Sequence, residues 1–534
     1  MFKQLLTPVG DSLLASFVVA ALPIAIVLVL LGVLRRPAWQ ACLAGLAAAI
    51  VMATAVWQLP VGLALDAAAN GGIFALWPIM WIVVNALLLY NIAVVSGRFE
   101  SLRLWLLDNL PNDRRIVLIV VGFCFGALLE GIAGFGTPIA ITSAMLILVG
   151  FAPLDALTYT LIFDTAPVAF GALGVPVTVL GQVTHLSDIT LGQMIGRQLP
   201  FIALLLPFYV MGLFGGRRSL AALWPVLLVA GGSFALIQFA TANLVDYKLT
   251  DVFSSLGSLV VTLLFLRVWQ PAADPAYAIA LRRDPRAAVA THATWAGWLP
   301  WLIVSAVVVV WTTLKIFAIG DTKIQWPGLH NAISITLYKD APYGAIWDFQ
   351  PLATGTAILL AAILTALLVR LPPAVFIAQV GVVWRQARIA ILTVMLILAL
   401  AFVMNYSGMA YTLGRGVASV GALFPLLSPF LGWIAVFMSG SDTSGNALFG
   451  NLQVVAANQL GLNPVLIAAS NSSGGVMGKM ISPQNIATGV SVTNLKGQEG
   501  LVFARTFKHS IILTFILGLL VLVQQYLTPW VIPG

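Results

Sequence analysis

The sequence predicts an all-α polytopic membrane protein with about 12 transmembrane helices plus two re-entrant hairpins, arranged as an inverted-repeat secondary transporter. Three observations carry that prediction. Of 534 residues, 60% are hydrophobic and only 8% charged, a balance typical of integral membrane proteins. Apolar windows of about 20 residues, the length that crosses a ~30 Å hydrocarbon core, recur along the chain. Two stretches, LLEGIAGFGTP at 128–138 and MSGSDTSGNALFG at 438–450, break this background with glycine, proline and acid. A bare backbone polar group in hydrocarbon costs several kcal/mol, so a stretch of this kind at membrane depth lines a site or cavity.

Taken in order, the first apolar run, 12–34, is too long for a signal-peptide core and ends in Arg35 and Arg36, which makes it an uncleaved span. Further spans are expected at 38–57, 72–96, 193–214, 219–242, 249–268, 296–316, 351–370, 388–410 and 506–530, with interrupted spans at 153–182 and 463–490. Residues 116–150 and 424–461 read as paired arms of about 15 residues, each reaching roughly 22 Å and so too short to cross. This threading gathers most of the 26 basic residues on one side, among them Arg36, Arg98, Arg114, Arg218, Arg283, Arg385 and Arg505. The positive-inside tendency makes that side cytoplasmic and leaves both termini and the 317–350 loop outside. The net charge of +8 therefore orients the chain and is no sign of nucleic acid. Cys42 and Cys124 lie in apolar runs and read as small core residues, and neither a metal nor a cofactor is expected.

The two hairpins open from opposite sides in this threading, so the halves are inverted. Ser96-Gly97 precedes Glu130 by 34 residues and Ser407-Gly408 precedes Asp442 by 35, while Asp164, Gly171 and Pro176 match Asn471, Gly478 and Pro483 at a constant offset of 307. The expected division is 1–71 scaffold, 72–214 first repeat, 215–387 scaffold and connecting helices with a cytoplasmic loop at 269–294, and 388–534 second repeat. Inverted repeats with discontinuous helices place a substrate site near the bilayer midplane.

A broken helix exposes free N–H groups and the positive end of its macrodipole, which together cradle an anion such as a carboxylate. The breaks are marked by Gly131, Gly134, Gly136 and Pro138, by Gly171 and Pro176, by Gly440, and by Gly478 and Pro483. Around them Thr137, Ser441, Thr443, Ser444, Asn446, Asn471, Ser472 and Ser473 supply small donors for a carboxylate and one further hydroxyl. The bland alternative is that these small residues serve close helix packing. Lys479 is the lone lysine at depth, facing either the substrate anion or an acid such as Asp442 or Glu130. Glu130, Asp164 and Asp442 are the acids at depth and the proton-carrier candidates. His185, His292, His330 and His509 are expected outside the membrane core.

EGIAGFGTP at 130–138, DTAPVAFGALGVP at 164–176, SGSDTSGNALFGNLQ at 439–453 and GGVMGKMISPQNIA at 474–487, with GRQLP at 196–200 and PGLHNA at 327–332, resemble stretches of the bacterial L-lactate permease family, which includes glycolate carriers. The resemblance spans nearly the whole chain. It implies uptake of L-lactate, and of D-lactate and glycolate, with a proton moving in the same direction across a bacterial inner membrane. At one position the chain departs from the family pattern, with Asp164 where that pattern has Asn. A sodium-coupled carboxylate carrier is the closer rival, since unwound carbonyls at Gly134, Gly136 and Gly440 suit sodium as well. A membrane-embedded hydrolase lacks its motifs here, with no H-E-x-x-H and no G-x-S-x-G. Nothing resembles the selectivity filter of a channel. The expected partners are a small monocarboxylate, a co-transported proton and the lipid bilayer, with a homo-oligomer left open.

Overall fold

A computed structural model describes residues 1–34, 36–132, 137–279, 295–493, 495 and 498–534. Among these residues the chain is a bundle of apolar helices, ten of them long enough to cross a membrane, or eleven when the pair Pro153–Phe163 and Val168–Thr184, bent by 62°, counts as one. Every apolar window expected from the sequence is occupied by helix. One unbroken count hides a turn: Leu199–Leu244 runs 46 residues, or roughly 69 Å at 1.5 Å per residue, more than twice the hydrocarbon core. Gly216, at φ +60 and ψ −161, reverses the chain, so a Cβ on Gly231 would stand 2.8 Å from Leu204 O on the other limb.

The two expected hairpins are antiparallel helix pairs. The first joins Arg114–Val117, Leu118–Phe125 and Gly126–Ile132 to Thr137–Leu148; the second joins Phe424–Ser439 to Asp442–Leu460. Their arms are not the short, non-crossing pairs expected: Arg114–Ile132 spans 19 residues and Met409–Ser439, which ends in the first arm of the second hairpin, spans 31, and both are among the helices long enough to cross, while the return arms span 12 and 19 residues. Both sit in a repeated order of elements. Trp81–Val95 ends on Gly97 at φ +72 and Pro373–Ser407 on Gly408 at φ +102; a short helix follows each, Arg98–Asp108 and Met409–Val417, then a hairpin, then a broken helix. The broken helices are Pro153–Phe163 with Gly171–Thr184, and Pro464–Lys479 with Pro483–Thr493. Ala172, Leu173 and Gly174 take positive φ, 307 residues before Lys479, Met480 and Ile481, where the second helix breaks.

The hairpins point in opposite directions. At the base of the first, Arg114 donates to Gly150 O and Ala276 O, each at 2.9 Å. At the base of the second, Asn458 donates to Tyr338 of the 317–350 loop at 3.0 Å. That loop face also holds the N-terminus, because Phe2–Lys3 forms a parallel strand beside Ile333–Ile335. The C-terminus lies there too: Arg197 grips Val531 O and Asn243, and nearby Lys248 stacks over Phe317. The opposite face carries Arg36, the pair Arg505–Asp155 and the pair Arg218–Asp274.

Apolar side chains gather into two clusters. One draws on the first hairpin, part of the second, the helices from Asp188 to Val268 and Glu499–Tyr526, with Phe123, Phe163, Phe234 and Leu513 among its members. The other draws on Leu13–Val95 and Leu299–Leu413, with Trp57, Ile79, Val308, Ile358 and Leu398, and takes in Ala447, Leu448 and Leu452 of the second hairpin and Ala172, Leu173 and Val175 after the first break. Cys42 and Cys124 are free and buried, one in each cluster.

Candidate functional site

The second hairpin turns at Gly440, whose φ of +72 a side chain rarely adopts. Ser441 caps the return arm by accepting from Ser444 N at 3.4 Å. This tip lies against the break of the second broken helix, where Asn485 donates to Gly440 O and Lys479 O, each at 3.2 Å. The upstream half of the broken helix reaches this position by close approach, since a Cβ on Gly474 or Gly478 would collide with the backbone of Pro429 or Trp433 on the hairpin arm.

Lys479 ends that half-helix, where the negative pole of the macrodipole favours a cation. Its Nζ lies 2.6 Å from Glu130 Oε1 of the first hairpin and 3.0 Å from Asp164 Oδ2 at the first break. The lysine thus joins the two repeats through a buried ion cluster; all three residues are 6% exposed or less. Of the partners expected for Lys479, Glu130 is one and Asp442 is not. Asp442 instead accepts from Ser472 Oγ at 2.5 Å and Asn446 Nδ2 at 3.3 Å.

A cavity of about 940 Å³ opens beside the cluster. It is lined by Glu130, Lys479, Gly171, Pro176, the second hairpin tip from Ser439 to Ser444, and Pro483 to Asn485. Its other wall is Leu31, Arg36, Pro37 and Ala38 with Gln386, Ile389, Ala390, Thr393 and Val394, so it lies between the two apolar clusters and reaches the face that carries Arg36, Gln386 and Glu499. The N-termini of Asp442–Leu460 and Pro483–Thr493 meet it. Ser441, Thr443 and Ser444 line it. Asn446, Asn471, Ser472 and Ser473 lie outside the lining and are fully buried in protein. Asn471 donates to Asn446 at 2.9 Å and accepts from Gln453 at 2.8 Å, and Asn446 donates to Pro176 O at 3.1 Å. They tie the second repeat to itself and to the first. Thr137 opens the return arm of the first hairpin, and Pro138, next to it, is buried there; Gly134 and Gly136 fall outside the described residues, as does His292.

On the loop face a second cavity, of about 430 Å³, is lined by Asn70, His185, Tyr338, Tyr343, Asn405, Tyr406, Tyr411 and Asn451. Between the two cavities Gly171–Thr184 packs on Asp442–Leu460, where a Cβ on Gly450 would crowd Leu180 and Val183. His509 is 5% exposed within Glu499–Tyr526, with Nδ1 2.6 Å from Tyr209 OH of a neighbouring helix. One expectation needs correction, that Glu130, Asp164 and Asp442 are the acids at depth. A further acid at depth, Asp251, is 1% exposed on Thr250–Val268; a Cβ on Gly131 would stand 2.9 Å from its Oδ2, so only glycine lets the first hairpin pass. An acid two residues inside the start of a predicted span was the signal for it, but such an end ordinarily faces water.

The chain is 39% identical over 551 residues to an L-lactate permease of Salmonella typhi, covering 100% of both chains. It is 41% identical over 561 residues to a glycolate permease of Escherichia coli (strain K12), covering 98% of each, and 37% identical over 568 residues to an L-lactate permease of Bacillus subtilis (strain 168), covering 100% of each. The family model described as L-lactate permease matches residues 16–528. A multi-pass membrane protein that matches this model over almost its whole length, the chain belongs to the L-lactate permease family.

Proposed function

We propose that the protein is a proton-coupled symporter that brings L-lactate, and also D-lactate and glycolate, into the cell across a bacterial inner membrane, with both termini and the 317–350 loop outside. The observation that carries this reading is Lys479, a buried ammonium held by Glu130 and Asp164 at the edge of a cavity that two helix N-termini meet.

The chemistry is a competition for one cation. The lactate carboxylate takes Lys479 from Glu130, its 2-hydroxyl meets Ser441, Thr443 or Ser444, and the carboxylate that loses the lysine takes a proton in its place. Left ionised and unpaired in the interior, that carboxylate would cost several kcal/mol, so anion and proton enter together. The loaded site then carries no added charge, whereas one net charge crossing 100 mV involves about 2.3 kcal/mol. The elements that carry Lys479 and Asp442 move past those that form the other wall, and on this reading the face of Arg36, toward which the cavity opens, is the cytoplasmic one.

The test is uptake of labelled L-lactate into proteoliposomes under an inward proton gradient, with and without sodium, for the wild type and for Glu130→Gln, Asp442→Asn and Lys479→Ala. Accumulation without sodium, abolished in Lys479→Ala, is expected. Uptake that requires sodium overturns the proton as coupling ion, and movement of another carboxylate without lactate overturns the substrate.

A further inference from the structure

Asp251 stands apart from every other acid of the site. It lies on Thr250–Val268, behind the first hairpin as seen from the cavity, and it does not line that cavity. Among the described residues neither carboxyl oxygen has a hydrogen-bond partner, although hydroxyls are at hand: Ser254 and Ser255 donate to backbone carbonyls, Ser255 to that of Asp251 itself at 2.6 Å. Glu130 Oε2 and Asp164 Oδ1, in the same charge neighbourhood, are likewise unpartnered. The first hairpin presents Glu130 to Asp251, the first break Asp164 and the second break Lys479, and these are the charges that act on it. Three carboxyl groups thus share one ammonium, and Lys479 already touches the other two. A buried carboxyl group with no donor and no cation in contact is satisfied by a proton of its own.

We propose that Asp251 is the store of the co-transported proton, which Glu130 passes to it from the cavity. The inference rests on the symport reading above. Glu130 lines the cavity and takes a proton from its water. That proton leaves the Glu130 oxygen for an oxygen of Asp251, across the gap that Gly131 keeps open, and Glu130 stays paired with Lys479 as an anion until lactate takes the lysine, when the same proton returns from Asp251 to Glu130. One proton thus accompanies one lactate. The store packs against the first hairpin and does not line the cavity, so the proton it holds waits out of reach of cavity water.

The experiment compares two readouts in proteoliposomes for the wild type, Asp251→Asn and Asp251→Glu: lactate accumulation driven by a proton gradient, and lactate–lactate counterflow at equal pH on both sides. Asp251→Asn is expected to keep counterflow within about threefold, to lose gradient-driven accumulation by tenfold or more, and to flatten the pH profile of uptake. Asp251→Glu restores accumulation. An Asp251→Asn protein that accumulates lactate with the wild-type pH profile overturns the proposal. So does loss of both readouts in both variants, which assigns Asp251 a structural role. A wild type that shows counterflow but no proton-driven accumulation overturns the symport reading itself, and is thereby told apart from a failure at Asp251.

Discussion

Lys479 illustrates how much one side chain holds here. It is 5% exposed and joins Glu130 and Asp164, two residues that reach it from different elements of the first repeat. Removing one partner of a buried ion pair costs about 3–5 kcal/mol because the remaining charge is left alone. Lys479→Ala is therefore expected to lower the melting temperature in detergent and to cut lactate uptake about 100-fold or more, roughly 2.7 kcal/mol or more. If the lysine served stability alone, Lys479→Ala/Glu130→Gln/Asp164→Asn, which also neutralises both carboxyl groups in contact with it, would recover both the melting temperature and uptake. On the substrate reading the triple variant regains stability without transport, which a melting curve and an uptake assay measured side by side will separate. At this scale the sequence told of Lys479, Glu130 and Asp442 because a charge in an apolar run is conspicuous. It did not tell of Asp251, nor of Asn485, whose two hydrogen bonds bind the hairpin tip to the break. A polar residue near a helix end or a proline has an ordinary explanation until its neighbours are known.

Among elements, the hairpin tip is where backbone geometry and function meet. Gly440 and Gly461 bracket the return arm Asp442–Leu460, at φ +72 and +65. A side chain in this region costs about 1–2 kcal/mol at either position. They differ in surroundings: a Cβ on Gly440 meets Gln484 Oε1 at 2.8 Å and Ser482 Oγ at 3.0 Å, while nothing lies within 4 Å of one on Gly461. Gly440→Ala is expected to raise the KM for lactate several-fold, as the tip shifts away from the break, whereas Gly461→Ala lowers stability by a similar amount and leaves KM unchanged. Equal KM values in the two variants would mean that the tip does not shape the site. The helix breaks were legible, since glycine-rich interruptions in an apolar run have few other uses. The arm lengths were not, because hydropathy does not mark where a π-helical stretch such as Leu118–Phe125 continues an arm. For the same reason Pro373–Ser407 begins 15 residues before the expected span at 388: its first turns carry Gln379, Arg385 and Gln386 and fall below the apolar threshold while remaining helical.

For the whole molecule, the repeat order read from Ser-Gly spacing and a 307-residue offset corresponds to reciprocal packing. The second half of each broken helix lies on the other repeat's hairpin: Gly171–Thr184 on Asp442–Leu460, and Pro483–Thr493 on Thr137–Leu148, where a Cβ on Gly489 would meet Ile139 at 3.2 Å. What the sequence could not supply is which apolar surfaces face each other, and hence that the cavity falls between two clusters with a closed contact above it. That contact makes a prediction about access. Thr393 lines the larger cavity and Asn405, on the same helix, lines the smaller one on the loop face. Both native cysteines are buried, so a cysteine at either position is read against a quiet background. In the conformation described here, Thr393→Cys is expected to react with a membrane-impermeant maleimide from the face of Arg36, and Asn405→Cys from the face of the 317–350 loop. Lactate with an inward proton gradient is expected to change the two rates in opposite directions, because a carrier that opens one cavity closes the other. Rates that rise together would describe a pore, and rates that stay fixed would mean that the two walls of the cavity do not move against each other during transport.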